Sequence, residues 1–141
     1  MKRIVMVMAG LAIAAAQEGS KAIVINPAST AWTHGKRDPA GVESVFLRQD
    51  PETGGLELLV RFPAGHKIAP HWHDCNERIV VLEGQLLLRP ASASASGETA
   101  LDAGSFAFLP SREVQRLSCG SKSRCTFYLA WDGKPGSHPA E

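Results

Sequence analysis

The chain has 141 residues, 44% of them hydrophobic and 21% charged, the size and makeup of one globular domain. Fifteen Lys and Arg against fourteen Asp and Glu give a formal net charge of +1, so no basic field is available to neutralise the phosphates of a nucleic-acid partner. Three cysteines are too few for a disulfide-built miniprotein.

Lys2 and Arg3 precede an apolar run over residues 4–16 that closes with Ala14, Ala15 and Ala16 before polar Gln17. This is the charged start, short hydrophobic stretch and small-residue cleavage site of a secretory signal. The run is too short for a transmembrane helix, which needs about 20 residues. The reading divides the chain into a signal peptide at 1–16 and a single domain at 17–141, periplasmic or secreted, with no membrane contact beyond export. An uncleaved anchor and a buried N-terminal helix are the alternatives. Cleavage removes Lys2 and Arg3, so the mature charge becomes 13 − 14 = −1.

Beyond Gln17 no long segment has a 3.6-residue apolar period. Short β-type runs follow one another instead: 21–25, 42–47, 56–62, 78–82, 85–89, 105–109, 114–117 and 126–131. Turn residues separate them, including Asp50-Pro51, Pro63-Ala64-Gly65, Glu83-Gly84, Ala103-Gly104 and Pro110-Ser111. Short strands at this spacing predict an all-β antiparallel sandwich or small barrel. The Ala/Ser stretch between Pro90 and Gly97 has no side chain able to build a core and reads as a mobile hairpin loop. Export permits disulfides. Cys119 and Cys125 flank a turn-rich stretch, and if the segments around it form a hairpin the two can bond; two free thiols are the alternative. Cys75 is left over.

The chemistry concentrates between Gly65 and Gly84. On a strand His71 and His73 point to one face and Trp72 to the other, because side chains alternate with period two. A turn over residues 74–76 brings Glu77 alongside on the next strand. Two imidazoles and one carboxylate then converge, a donor set that suits Fe(II) and related divalent ions when other positions stay open. The alternative is a pair of hydrogen-bonded barrel histidines.

Gly65, His71, His73, Glu77 and Gly84 fill every specified position of G-x5-H-x-H-x3-E-x6-G. The segment thereby resembles the first motif of the cupin superfamily. The second motif, G-x5-P-x-G-x2-H-x3-N, is half present: Gly104 and Pro110 match, whereas Arg112 replaces Gly, Gln115 the ligand His and Cys119 the Asn. The resemblance implies an antiparallel double-stranded β-helix, the jelly-roll or cupin barrel, with its metal-site core at roughly residues 56–131. It implies one divalent metal ion (Fe, Mn, Ni, Cu or Zn) held by His71, His73 and Glu77. Gln115 is then a fourth ligand, or a hydrogen-bond partner of a metal-bound water, or the mark of a degenerate site that binds an organic ligand directly. The chain also looks like the cupins related to anti-sigma-factor sensor domains and dioxygenase-like proteins. The implied function is metal-dependent, dioxygenase-like chemistry on a small organic substrate; a non-catalytic metal- or ligand-binding or sensing module is the alternative. Frequent dimers in the superfamily imply a homodimer.

Other residues fall outside this set. His34 reads as surface near the barrel mouth, His66 as loop and His138 as a solvated tail residue. Cys75 reads as a small turn residue or a soft metal competitor. Arg61, Arg78, Arg112 and Glu113 either meet an anionic substrate at the mouth or are solvated. Ile79, Val81, Phe106 and Phe108 read as barrel lining and packing. Expressed in a Gram-negative host, the protein should be recovered without Met1–Ala16; an intact mass that retains them would overturn the export reading.

Overall fold

The computed structural model describes residues 21–35, 40–92 and 97–141. The signal-peptide reading and the centre of the Ala/Ser loop (93–96) lie outside the described residues. Ten strands are formed: β1 (Glu43–Gln49), β2 (Leu56–Phe62), β3 (Lys67–His73), β4 (Glu77–Glu83), β5 (Gln85–Pro90), β6 (Thr99–Asp102), β7 (Phe106–Leu109), β8 (Gln115–Cys119), β9 (Cys125–Trp131) and β10 (Ser137–Pro139). They build two five-stranded sheets, β1-β2-β9-β4-β7 and β10-β3-β8-β5-β6. Every strand pair is antiparallel. No helix occurs among the described residues. This is the all-β antiparallel architecture expected from the pattern of short strands, in the jelly-roll form that the cupin resemblance implied.

Period-two alternation sets each inner face. On β4 it buries Ile79 and Val81, on β5 Leu86 and Leu88, and on β9 Phe127 and Leu129. These residues share one core with Val60, Phe62, Leu109 and Leu117 from both sheets. Each such side chain, fully buried, stabilises the fold by about 1.5–3 kcal/mol relative to an exposed one. The same parity carries three polar residues inward. Glu77 lies two positions before Ile79, Gln115 two before Leu117, and Trp131 two after Leu129.

From β2 onward the chain changes sheet at every connection except the β5–β6 hairpin. Gly84 is the corner between β4 and β5. Its φ is +76°, and a Cβ there would run into the Arg124 carbonyl oxygen. Only glycine meets both demands, which accounts for the last position of the first motif. Between β7 and β8, Arg112 stands where the second motif has glycine and still adopts φ +66°, alone among the described non-glycine residues. Its N–H donates to the His73 carbonyl at 2.9 Å, while the Ser111 hydroxyl donates to the Asp74 carbonyl at 2.8 Å. The backbone of the motif survives the loss of its glycine.

Four expectations need correction. Residues 21–25 form no strand: they have no ladder partner, and Val24 is 93% exposed. Phe106 and Phe108 do not line the barrel, because β7 alternates the other way and leaves both exposed. Residues 137–139 are not free tail but strand β10, paired with β3. Finally, the segments flanking the Cys119–Cys125 loop are no hairpin. β8 and β9 belong to opposite sheets, and the cysteines meet across a corner at disulfide distance, with Cα atoms 5.8 Å apart.

Two outcomes follow from these corners. Titration of the oxidised, denatured protein should find one free thiol, Cys75, and Cys119→Ser should lower the unfolding free energy by about 2 kcal/mol, since closing so short a loop limits the unfolded chain only modestly. Arg112→Gly should raise stability by about 1 kcal/mol in denaturant unfolding by relieving a left-handed conformation that L-residues disfavour; a destabilised variant would show that the arginine side chain matters more than its backbone.

Candidate metal centre

Strand β3 supplies two histidines from one sheet, and β4 brings a carboxylate to them from the other. Between Ile68 and His71 the β3–β8 register shifts. This bulge flips the parity of the strand, so Ile68, His71 and His73 all face the interior cavity. Trp72 points the opposite way and stacks on His138, with ring centres 4.0 Å apart and planes at 17°. His71 pairs with Gln115 across β3 and β8, and Glu77 pairs with Trp131 across β4 and β9.

Glu77 is the hub. It is 3% exposed, so its charge persists only if its oxygens are hydrogen-bonded. Oε1 accepts from the Gln115 amide at 3.1 Å. Oε2 accepts from the Trp131 indole N–H at 2.8 Å and lies 3.0 Å from His73 Nε2. Trp131 was not singled out from the sequence. Its only signal was a position at the end of an apolar strand, and the pairing with Glu77 depends on a register that no local pattern reveals.

The C-terminal strand orients His73. Its Nδ1 donates to the Gly136 carbonyl at 3.0 Å, so in the neutral ring the Nε2 lone pair faces the Glu77 carboxylate. That arrangement calls for a proton or a cation between them. Burial opposes protonation of His73. The hydrogen bond and charge of Glu77, together with the Gly136 and Pro135 carbonyls, outweigh burial and raise its pKa above the ordinary imidazole value. Strand β10 is itself tied down. His138 Nε2 lies 3.0 Å from both Asp74 oxygens, Asp74 N–H donates to the Pro135 carbonyl, and Ala140 N–H donates to the Pro70 carbonyl. His138 is therefore half-buried and pinned rather than solvated.

His71 stands slightly apart. Its Nδ1 lies 2.9 Å from the Ala69 carbonyl, a bond that in the neutral ring leaves the lone pair on Nε2, and its ring centre lies 5.0 Å from that of His73. Among the described residues no three His, Cys, Asp or Glu side chains converge closely enough to hold an ion as they stand. The donor chemistry nevertheless fits a divalent cation. Both histidines spend Nδ1 on carbonyls, the usual arrangement that points Nε2 at a metal. Gln115 must turn its NH2 group to the Glu77 carboxylate, since oxygen facing oxygen would repel. Its Oε1 is then buried without a hydrogen-bond partner, an acceptor of the kind that a cation or a donor completes.

The remaining candidates lie elsewhere. His34 is exposed and bonds the Val42 carbonyl through Nδ1 at 2.7 Å. His66 is in the turn before β3, its ring 4.8 Å from that of Phe62. The Cys75 thiol donates to the Gly133 carbonyl at 3.3 Å, and burial pushes its pKa up, which disfavours a metal-binding thiolate. The Arg61 guanidinium sits 3.7 Å over the Trp32 ring, and Arg78 lies 3.7 Å from Asp132.

The site opens into a cavity of about 540 Å³ between the sheets. His71, His73, Glu77 and Trp131 lie on its wall among mostly aliphatic and aromatic side chains.

Comparisons place this architecture. Residues 14–136 match the family described as a domain of unknown function, DUF4437. Among curated proteins none matches the sequence. Several solved structures share the fold at low identity. The polyketide cyclase RemF from Streptomyces resistomycificus is 16% identical with a TM-score of 0.70, over 86% of this chain and 87% of that one. A sugar phosphate isomerase of the cupin superfamily from Silicibacter pomeroyi is 20% identical with a TM-score of 0.66, over 84% and 82%. A cupin-like protein from Thermotoga maritima is 12% identical with a TM-score of 0.64, over 79% and 89%. Structures of this fold thus include enzymes as different as a cyclase and an isomerase. By sequence the chain belongs to the DUF4437 family, and by fold that domain is a cupin barrel.

Proposed function

We propose that this protein is an exported cupin that binds one divalent metal ion through His71, His73 and Glu77, with Gln115 as fourth donor, and that it acts on a small organic molecule in the adjoining cavity. The observation that carries the reading is the unfinished pair beside Glu77: a His73 ring whose Nδ1 is committed to a carbonyl, and a buried Gln115 oxygen with no partner. When bound, the ion supplies Lewis acidity toward a substrate oxygen and, if redox-active, electrons for a dioxygenase-like reaction. Glu77 contributes the one negative charge of the set, held in place by the Trp131 indole and the Gln115 amide. Gly136 and Ala69 fix the tautomers of the two histidines through their carbonyls. The apolar walls exclude water from the head of a bound substrate. Export is supported by the N-terminal run and by the cysteine pair at disulfide distance. The homodimer implied by the superfamily is part of the same proposal, to be tested by sedimentation.

A second reading, a non-catalytic binding or sensing module, is favoured by one feature. Apart from His71, His73 and Glu77, no described side chain on the cavity wall is an acid or base. Elemental analysis of protein purified without chelators or a polyhistidine tag should find close to one metal ion per chain. His71→Ala should lose it, and Gln115→Ala should weaken affinity by about 10- to 100-fold. No metal in the parent even after loading would overturn the metal reading. With metal present, oxygen uptake with diketones, flavonols or thiols supports the enzyme, and ligand binding without product supports the module.

A further inference from the structure

The cavity's walls specify more than its metal-facing end. Leu58, Val60, Ile68, Leu117, Phe127 and Leu129 form its body, and the volume of about 540 Å³ falls within the roughly 300–1,000 Å³ typical of small-molecule sites. No Lys or Arg lies on the described wall. Arg61 lies over the Trp32 ring and 3.5 Å from Glu43, and Arg78 lies 3.7 Å from Asp132. Glu77 is the one carboxylate on the described wall. Away from the Glu77 end the described wall offers no counter-charge, so a molecule carrying charge along its body would lose hydration uncompensated, whereas an apolar body gains by leaving water.

We infer that the cavity takes an uncharged, largely apolar organic molecule, aromatic or terpenoid in size, with a single polar head such as a hydroxyl or carbonyl seated at the His73–Glu77 end. A molecule that carries charge along its body, such as a sugar phosphate, does not match this wall. Only the placement of the head rests on the metal reading above; the choice of an apolar body rests on the wall alone. Ser44 and Ser137 add two hydroxyl-bearing positions to the rim without adding charge.

The test uses the neutral fluorophore N-phenylnaphthylamine, whose emission rises on entering an apolar site. One probe should bind per chain in the micromolar range, naphthol should displace it, and on chelator-treated protein a large excess of glucose phosphate should not. Ser44→Trp and Ser137→Trp, which plug the cavity from opposite sheets, should each weaken binding by at least about tenfold while circular dichroism stays that of the parent. If one variant fails to fold, the other still decides. Displacement or thermal protection by glucose phosphate on chelator-treated protein, with naphthol inert, would overturn the inference. So would probe binding unchanged in a folded variant, which would put the probe on exposed Phe46, Phe106 or Phe108 instead. Chelation should leave probe binding intact, so failure of the metal reading would appear in elemental analysis and not here.

Discussion

The burial of the Glu77 carboxylate is the constraint around which the rest of this molecule is arranged. A charged group that is 3% exposed is tolerated only when its oxygens are engaged. Two donors from two other strands engage it, Gln115 from β8 and Trp131 from β9, and His73 Nε2 from β3 lies 3.0 Å away. None could be spared without leaving a partner group unsatisfied in the core. Parity creates this demand, since the packing of Ile79 and Val81 forces Glu77 to the same side of β4. The hydrophobic effect thus delivers a carboxylate to the interior, and the neighbouring strands are built to receive it.

The sheet-crossing connections make that reception accurate. His73 and Glu77 are four residues apart yet sit in opposite sheets, so their 3.0 Å separation depends on the corner over residues 74–76. That corner is held from outside. Asn76 bonds Asp132, Ser111 reaches the Asp74 carbonyl and the Asn76 side chain, and β10 pairs along β3. Gly136 joins this clamp in a second way, because a Cβ there would strike the Asp74 carboxylate.

Two chemistries meet at the cavity and do different work. The polar end of the wall carries two imidazoles and a carboxylate, a donor set that suits a divalent cation. The remaining wall is apolar and discriminates by desolvation. Gln115 holds Glu77 through its amide N–H and leaves its own oxygen buried without a partner.

Much of this was legible in the sequence. Short alternating runs and turn residues pointed to an all-β sandwich, the His-x-His spacing put two imidazoles on one face, and Gly65, Glu77 and Gly84 completed a recognisable motif. These are local properties, governed by side-chain parity and backbone freedom over a few residues. Tertiary structure alone decided which strand faces which. It joined Trp131 to Glu77 across β9 and β4, drew the Gly/Pro/Ser-rich tail into β10 to orient His73, turned Phe106 and Phe108 outward and spread Cys119 and Cys125 over two sheets. Such pairings join residues many positions apart, and they are selected by the joint packing of both sheets, which no short window of sequence contains.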